Sequence, residues 1–161
     1  INNVRKTIVR GRLTDPRFYD QMSKLLDDLI RQSRTDAAAY EEFLRKAEAL
    51  ARRLAAKQPL DDVPAVLHGN SEAIVIFNNL PRILEGRTAG AEVRERPPDY
   101  GGERALLALD IDRTIREHAP AGWKGDHARE AQVLNALFPL MKRDRGATAA
   151  LFDLVKNQPG Y

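Results

Sequence analysis

Apolar side chains recur every three or four positions along most of this chain, and that spacing constrains its fold more than any other feature. Phe18, Met22, Leu25, Leu26, Leu29 and Ile30 follow the helical period and form one stripe, while Asp20 with Lys24 and Asp27 with Arg31 pair four residues apart on the polar side. Asp15 is placed to cap this helix. Pro16 suits its first position, where a missing N–H costs nothing, and the helix is predicted to run to about Ser33. A second helix starts at Asp36 and carries Tyr40, Phe43, Leu44, Ala47, Leu50, Ala51 and Leu54, with Glu41–Arg45, Glu42–Lys46 and Glu48–Arg52 on its outside. The short link at residues 34–36 predicts an antiparallel helical hairpin over about 15–57.

Beyond Pro59 and Pro64, Ala73-Ile74-Val75-Ile76-Phe77 has the composition of a buried strand. A lone strand has no partner in this sequence, and Asn70 or Ser71 can cap a helix with Glu72 in its first turn, so residues to about Leu84 are predicted helical. Gly86, Gly90, Pro97, Pro98, Gly101 and Gly102 mark residues 85–102 as a mobile loop. A helix over Glu103–His118 presents Leu106, Leu107, Leu109, Ile111 and Ile115. Trp123-Lys124-Gly125 reads as a turn, and Asp126 caps a helix with Val133, Leu134, Leu137, Phe138 and Met141 that Pro139 kinks or shortens. Residues 144–146 separate a last helix carrying Ala150, Leu151, Leu154 and Val155. The predicted class is all-α, an irregular helical bundle of about six helices. Residues 1–13, with Arg5, Lys6, Arg10, Arg12 and no acid, read as a basic connector from a preceding domain. Residues 14–161 read as a single helical domain, its C-terminal helices over about 103–157.

The chain has 161 residues and no cysteine, which excludes disulfide scaffolds, thiolate metal sites and cysteine nucleophiles, and makes the cytoplasm the expected compartment. No apolar run approaches the roughly 18 residues of a membrane span, and the opening residues lead us to expect no signal peptide. Beginning at Ile1, it reads as a piece of a longer polypeptide. Arginine supplies 19 of the 26 basic residues, which raises nucleic-acid binding. Against this, most of them alternate with Asp and Glu along helices, as solvated faces do.

Catalytic patterns are missing. There is no GxxxxGK[ST] phosphate loop, no GxGxxG and no GxSxG. His68, His118 and His127 form no metal-gripping pair. Asp110 and Asp112, near Glu117, fall about 200° apart on a helix and cannot share an ion. Pro98-Asp99 with Glu103 lacks the lysine two residues later that a nuclease motif needs.

Five strings in order carry a family likeness: Asn3-Val4-Arg5-Lys6-Thr7-Ile8, Phe18-Tyr19 through Met22-Ser23-Lys24-Leu25-Leu26, Tyr40-Glu41-Glu42-Phe43-Leu44, Trp123-Lys124-Gly125, and Leu151-Phe152-Asp153-Leu154-Val155-Lys156-Asn157-Gln158 with Tyr161. Together they resemble the C-terminal helical region of the restriction (R) subunit of type I restriction-modification enzymes. The likeness is strongest over residues 3–54 and 123–161 and loose over about 82–102. The sequence departs from the family pattern at Gly122, where the family tends to carry an acid, and at Pro159-Gly160, where it tends to carry Glu before the final Tyr.

The resemblance implies a parent subunit acting as an ATP-dependent site-specific deoxyribonuclease, with a nuclease domain and two helicase-like domains that use ATP and magnesium. This segment itself would be non-enzymatic and hold no cofactor or metal. Its implied role is to dock the motor subunit onto the methyltransferase core of modification and specificity subunits, in defence against foreign DNA. The expected partner-binding residues are Trp123, Lys124, Gly125, Lys156, Asn157, Gln158 and Tyr161. For Trp123, core packing competes with partner anchoring. The alternative role is a DNA-contacting module, in which Arg5, Lys6, Arg10, Arg12 and Arg17 would meet duplex phosphates.

Overall fold

A computed structural model of the chain describes residues 2–32, 39–57, 63–85 and 100–161. All of the regular structure there is helical, and its contacts divide the chain into two compact units, residues 1–62 and 63–161.

The first unit contains α1 (Asn2–Gly11), α2 (Pro16–Gln32) and α3 (Ala39–Ala55). The expected basic connector is therefore a helix. Its charge hid a short apolar face: Val4 and Ile8 lie one turn apart, and Ile8 is buried against α2 and α3 with Phe18, Tyr19, Met22, Leu26, Leu50 and Leu54. Gly11 lets α1 end against the Tyr19 ring, because a Cβ there would stand 2.1 Å from a ring carbon. The Asp15 carboxylate accepts from the Phe18 amide at 3.3 Å and caps α2, which starts at Pro16 as predicted. Helices α2 and α3 pack on each other. The link between them and the expected cap at Asp36 lie outside the described residues.

The second unit contains one turn of 3-10 helix (Ala65–Leu67), α4 (Ser71–Glu85), α5 (Tyr100–His118), α6 (His127–Leu137) and α7 (Arg145–Lys156). Helix α4 packs on α5 and α7, and α6 packs on the same two, so the four helices close a ring around one core. Leu67, Ile76, Phe77, Leu80, Ile111, Ile115, Leu137, Met141 and Leu151 fill it. Residues 73–77 belong to α4, and Asn70 is its cap, accepting from the Ala73 amide at 3.0 Å. One boundary differs from expectation, and another is shortened ahead of Pro139, one of the two outcomes expected there. Gly101 and Gly102 lie in the first turn of α5 rather than in a loop; the rest of the expected loop, residues 86–99, lies outside the described residues. Helix α6 ends at Leu137, before Pro139, so Met141 enters the core from a turn in which Lys142 and Arg143 take positive φ. On α5 the buried positions are Ala105, Ala108, Ile111, Asp112 and Ile115, whereas the expected core residue Leu106 is exposed. With α1 included, the described residues form seven α-helices where about six were expected.

Candidate functional site

The turn after α5 and the C-terminal tail after α7 meet in the second unit, and nearly all the expected partner-binding residues are found there. Gly122 and Gly125 take φ of +66° and +89°, a backbone region that favours glycine, and so fold the turn around Trp123. Trp123 is 3% exposed and lies against Phe152 of α7, with ring centroids 5.7 Å apart. It is a core residue. The Asp126 side chain, which accepts from the amides of Ala128 and Arg129, ends the turn and starts α6.

Two polar links tie turn to tail. Lys124 Nζ donates to the Gln158 backbone carbonyl. The Glu130 carboxylate accepts from the Gly125 amide at 2.7 Å and pairs with Lys156 at 2.6 Å. Lys156 and the Gly125 amide hold the Glu130 carboxyl below the usual carboxylate range, while burial lowers the Lys124 amine. Gln158 is buried and donates to the Leu154 carbonyl at 3.1 Å, whereas Asn157 is exposed and donates to the Asp153 carbonyl at 2.8 Å.

Tyr161 reaches a third group, whose centre is Asp112 of α5. The Asp112 carboxylate is buried and accepts from the Tyr161 hydroxyl at 2.5 Å, from Asn70 Nδ2 at 2.8 Å and from Arg116 Nε at 3.0 Å. Burial pushes the Asp112 carboxyl up, but the bonds from Tyr161, Asn70 and Arg116 outweigh it and leave it below the ordinary value. The same contact, together with burial, raises the Tyr161 hydroxyl. Arg116 also pairs with Glu72 at 3.4 Å and lies over the Tyr161 ring. Gly160 passes so close to Glu72 that a Cβ would fall 2.1 Å from its carboxylate oxygen.

An open cleft of about 450 Å³ runs between turn and tail, lined by Arg116, Pro120, Gly122, Lys124 and Tyr161 among others. Asp112, Glu130, Asn70, Glu72 and Arg116 were not among the expected site residues. In the sequence Asp112 looked like a member of an acidic pair. Its position between Ala108 and Ile115 on the buried face of α5 was the available signal. Asp110 points elsewhere and pairs with Arg113 at 2.7 Å. Among the described residues no group of three histidine or carboxylate side chains could hold a metal ion. No known protein family, curated protein or solved structure matches the chain.

The expected DNA-contacting residues all lie in the first unit and divide by environment. Arg5 pairs with Asp27 at 3.2 Å, and Arg12 grips one oxygen of Asp20 through Nε and Nη2 at 2.9 and 2.6 Å. Arg17 is half-buried on α2. Lys6 and Arg10 are exposed on α1.

Proposed function

We propose that this chain is a non-catalytic assembly module: the C-terminal helical region of a type I restriction R subunit, which docks the DNA-translocating endonuclease onto the methyltransferase core of modification and specificity subunits. One observation carries the reading. The strings Trp123-Lys124-Gly125 and Leu151 to Tyr161, which bear the family likeness but stand 26 or more residues apart, converge on one turn-and-tail substructure cross-linked by Lys124, Glu130 and Asp112. These cross-links suit a surface that must be presented in one shape to a partner. Because Trp123 faces the core, partner contact falls to the exposed rim: Gly122, Gly125, Asn157 and Gly160, with the half-buried Lys124 and Tyr161. ATP and magnesium chemistry belongs to the rest of the parent subunit in this reading.

The test mixes the purified chain with the cognate methyltransferase core, with and without duplex DNA, and measures complex formation by sedimentation. A stoichiometric complex is expected in both conditions, weakened by Lys124→Glu with Asn157→Arg. Absence of any complex in either condition refutes the proposal.

A further inference from the structure

We infer that the outer face of α1 is a second docking surface, built to receive an acidic amphipathic helix of a partner protein. The inference rests on the assembly reading for the existence of a partner. Helix α1 contains no acidic residue. At about 100° per residue, Asn2, Lys6, Val9 and Arg10 fall on the side opposite Val4 and Ile8, which face the first unit's core. Asn2, Arg5, Lys6, Val9 and Arg10, all of α1, border a shallow, open hollow on the helix surface. Val9 is 62% exposed and Leu13, just beyond the helix, 70%.

The charges on this face are unequal in availability. Asp27 and Asp20 already engage Arg5 and Arg12. Among the described residues no carboxylate lies within ion-pair distance of Lys6 or Arg10, so these two present their charge outward with Val9 beside them. Phosphodiester contacts are made by donors, and an exposed valine and leucine amid the cations contribute nothing to them. A helix with an apolar stripe edged by Glu or Asp matches both features: the stripe covers Val9 and Leu13, and the acids meet Lys6 and Arg10. The observations therefore favour a protein helix over duplex DNA.

The probe is a fluorescein-labelled peptide of about 20 residues, long enough to be helical, with leucines at helical spacing flanked by glutamates. A scrambled peptide of the same composition and a duplex of about 20 base pairs serve as comparisons, all titrated with the full chain by fluorescence anisotropy. Saturable binding of the amphipathic peptide is expected at least about tenfold tighter than of the scrambled one. Lys6→Glu with Arg10→Glu, and separately Val9→Ser, should each weaken it about tenfold or more. Lys142→Glu, exposed in the second unit, should leave it unchanged. Circular dichroism checks that the variants stay folded, as their exposed positions predict. Equal binding of both peptides, no binding, or duplex bound tightest and unmoved by Val9→Ser would each overturn the inference. Sedimentation with the methyltransferase core separates the two ideas. If the core associates but ignores Lys6→Glu/Arg10→Glu and the peptide does not bind, the assembly reading stands and this surface falls. If the peptide binds as described but the core never associates, the assembly reading falls.

Discussion

Replacing Trp123 by alanine should cost this chain most of its stability in the second unit. The ring is 3% exposed and packs on Phe152 inside the core that also contains Ile115, Val133 and Val155. A tryptophan buries about 150–250 Å². At about 25 cal/mol per Å² its removal forfeits about 4–6 kcal/mol of transfer free energy. Alanine retains a part of that, and partial collapse of the cavity recovers more, so the net loss expected is about 3–5 kcal/mol. For a unit of this size each kcal/mol lowers Tm by about 4–8 °C, so the transition of the second unit should fall by at least about 12 °C. Trp123 is the only tryptophan, so the variant loses its fluorescent reporter and the melt must be followed by circular dichroism at the helical minimum. Trp123→Phe keeps a ring against Phe152 and should recover most of the loss. A Tm for Trp123→Ala within roughly 3 °C of the parent chain would refute the core assignment. Weaker association with the methyltransferase core at that unchanged Tm would assign the ring to the partner instead.

Asp112→Ala removes the acceptor of the Tyr161 hydroxyl and of Asn70 Nδ2 and leaves Arg116 only Glu72, and should cost about 2–3 kcal/mol in denaturant unfolding, less than a fully buried pair because Arg116 reaches solvent. The Asp112 carboxyl is lower when folded than the roughly 3.9 of an unfolded chain, so its contribution is complete above that pH and is lost as pH falls through and below it. Asp112→Asn should flatten this acid limb. Tyr161 is shifted the other way: its folded hydroxyl sits above the unfolded value of about 10, so stability falls as pH rises beyond 10, and Tyr161→Phe should remove that loss. In a spectrophotometric titration, Tyr19 and Tyr161 should both ionise above the ordinary tyrosine value of about 10. Gly122→Ala places a side chain at φ +66° and should cost about 1–2 kcal/mol in the same unfolding assay.

The sequence by itself determined the helices that carry a long apolar stripe and a capping side chain. Periodicity and the Asp15 and Asp126 caps placed α2 and α6, and a cap at Asn70 or Ser71 with no partner strand in the sequence placed α4, because a helix must satisfy its first amides and bury its apolar side locally, and both demands are written within a few residues. The first helix was missed for the converse reason. Its ten residues carry only a two-residue apolar face, too little to reveal helix until α2 and α3 cover Ile8. The gathering of Trp123, Lys124, Gly125, Lys156, Gln158 and Tyr161 in one place was visible in the sequence only as a likeness between strings. The groups that join them, Glu130 and Asp112, were not visible as partners. A carboxylate's partners across 49 residues, as between Asp112 and Tyr161, depend on which faces of α4, α5 and α7 turn inward. Only the closed ring of helices decides that: it buries Asp112, and a buried carboxylate must find donors wherever the packing brings them.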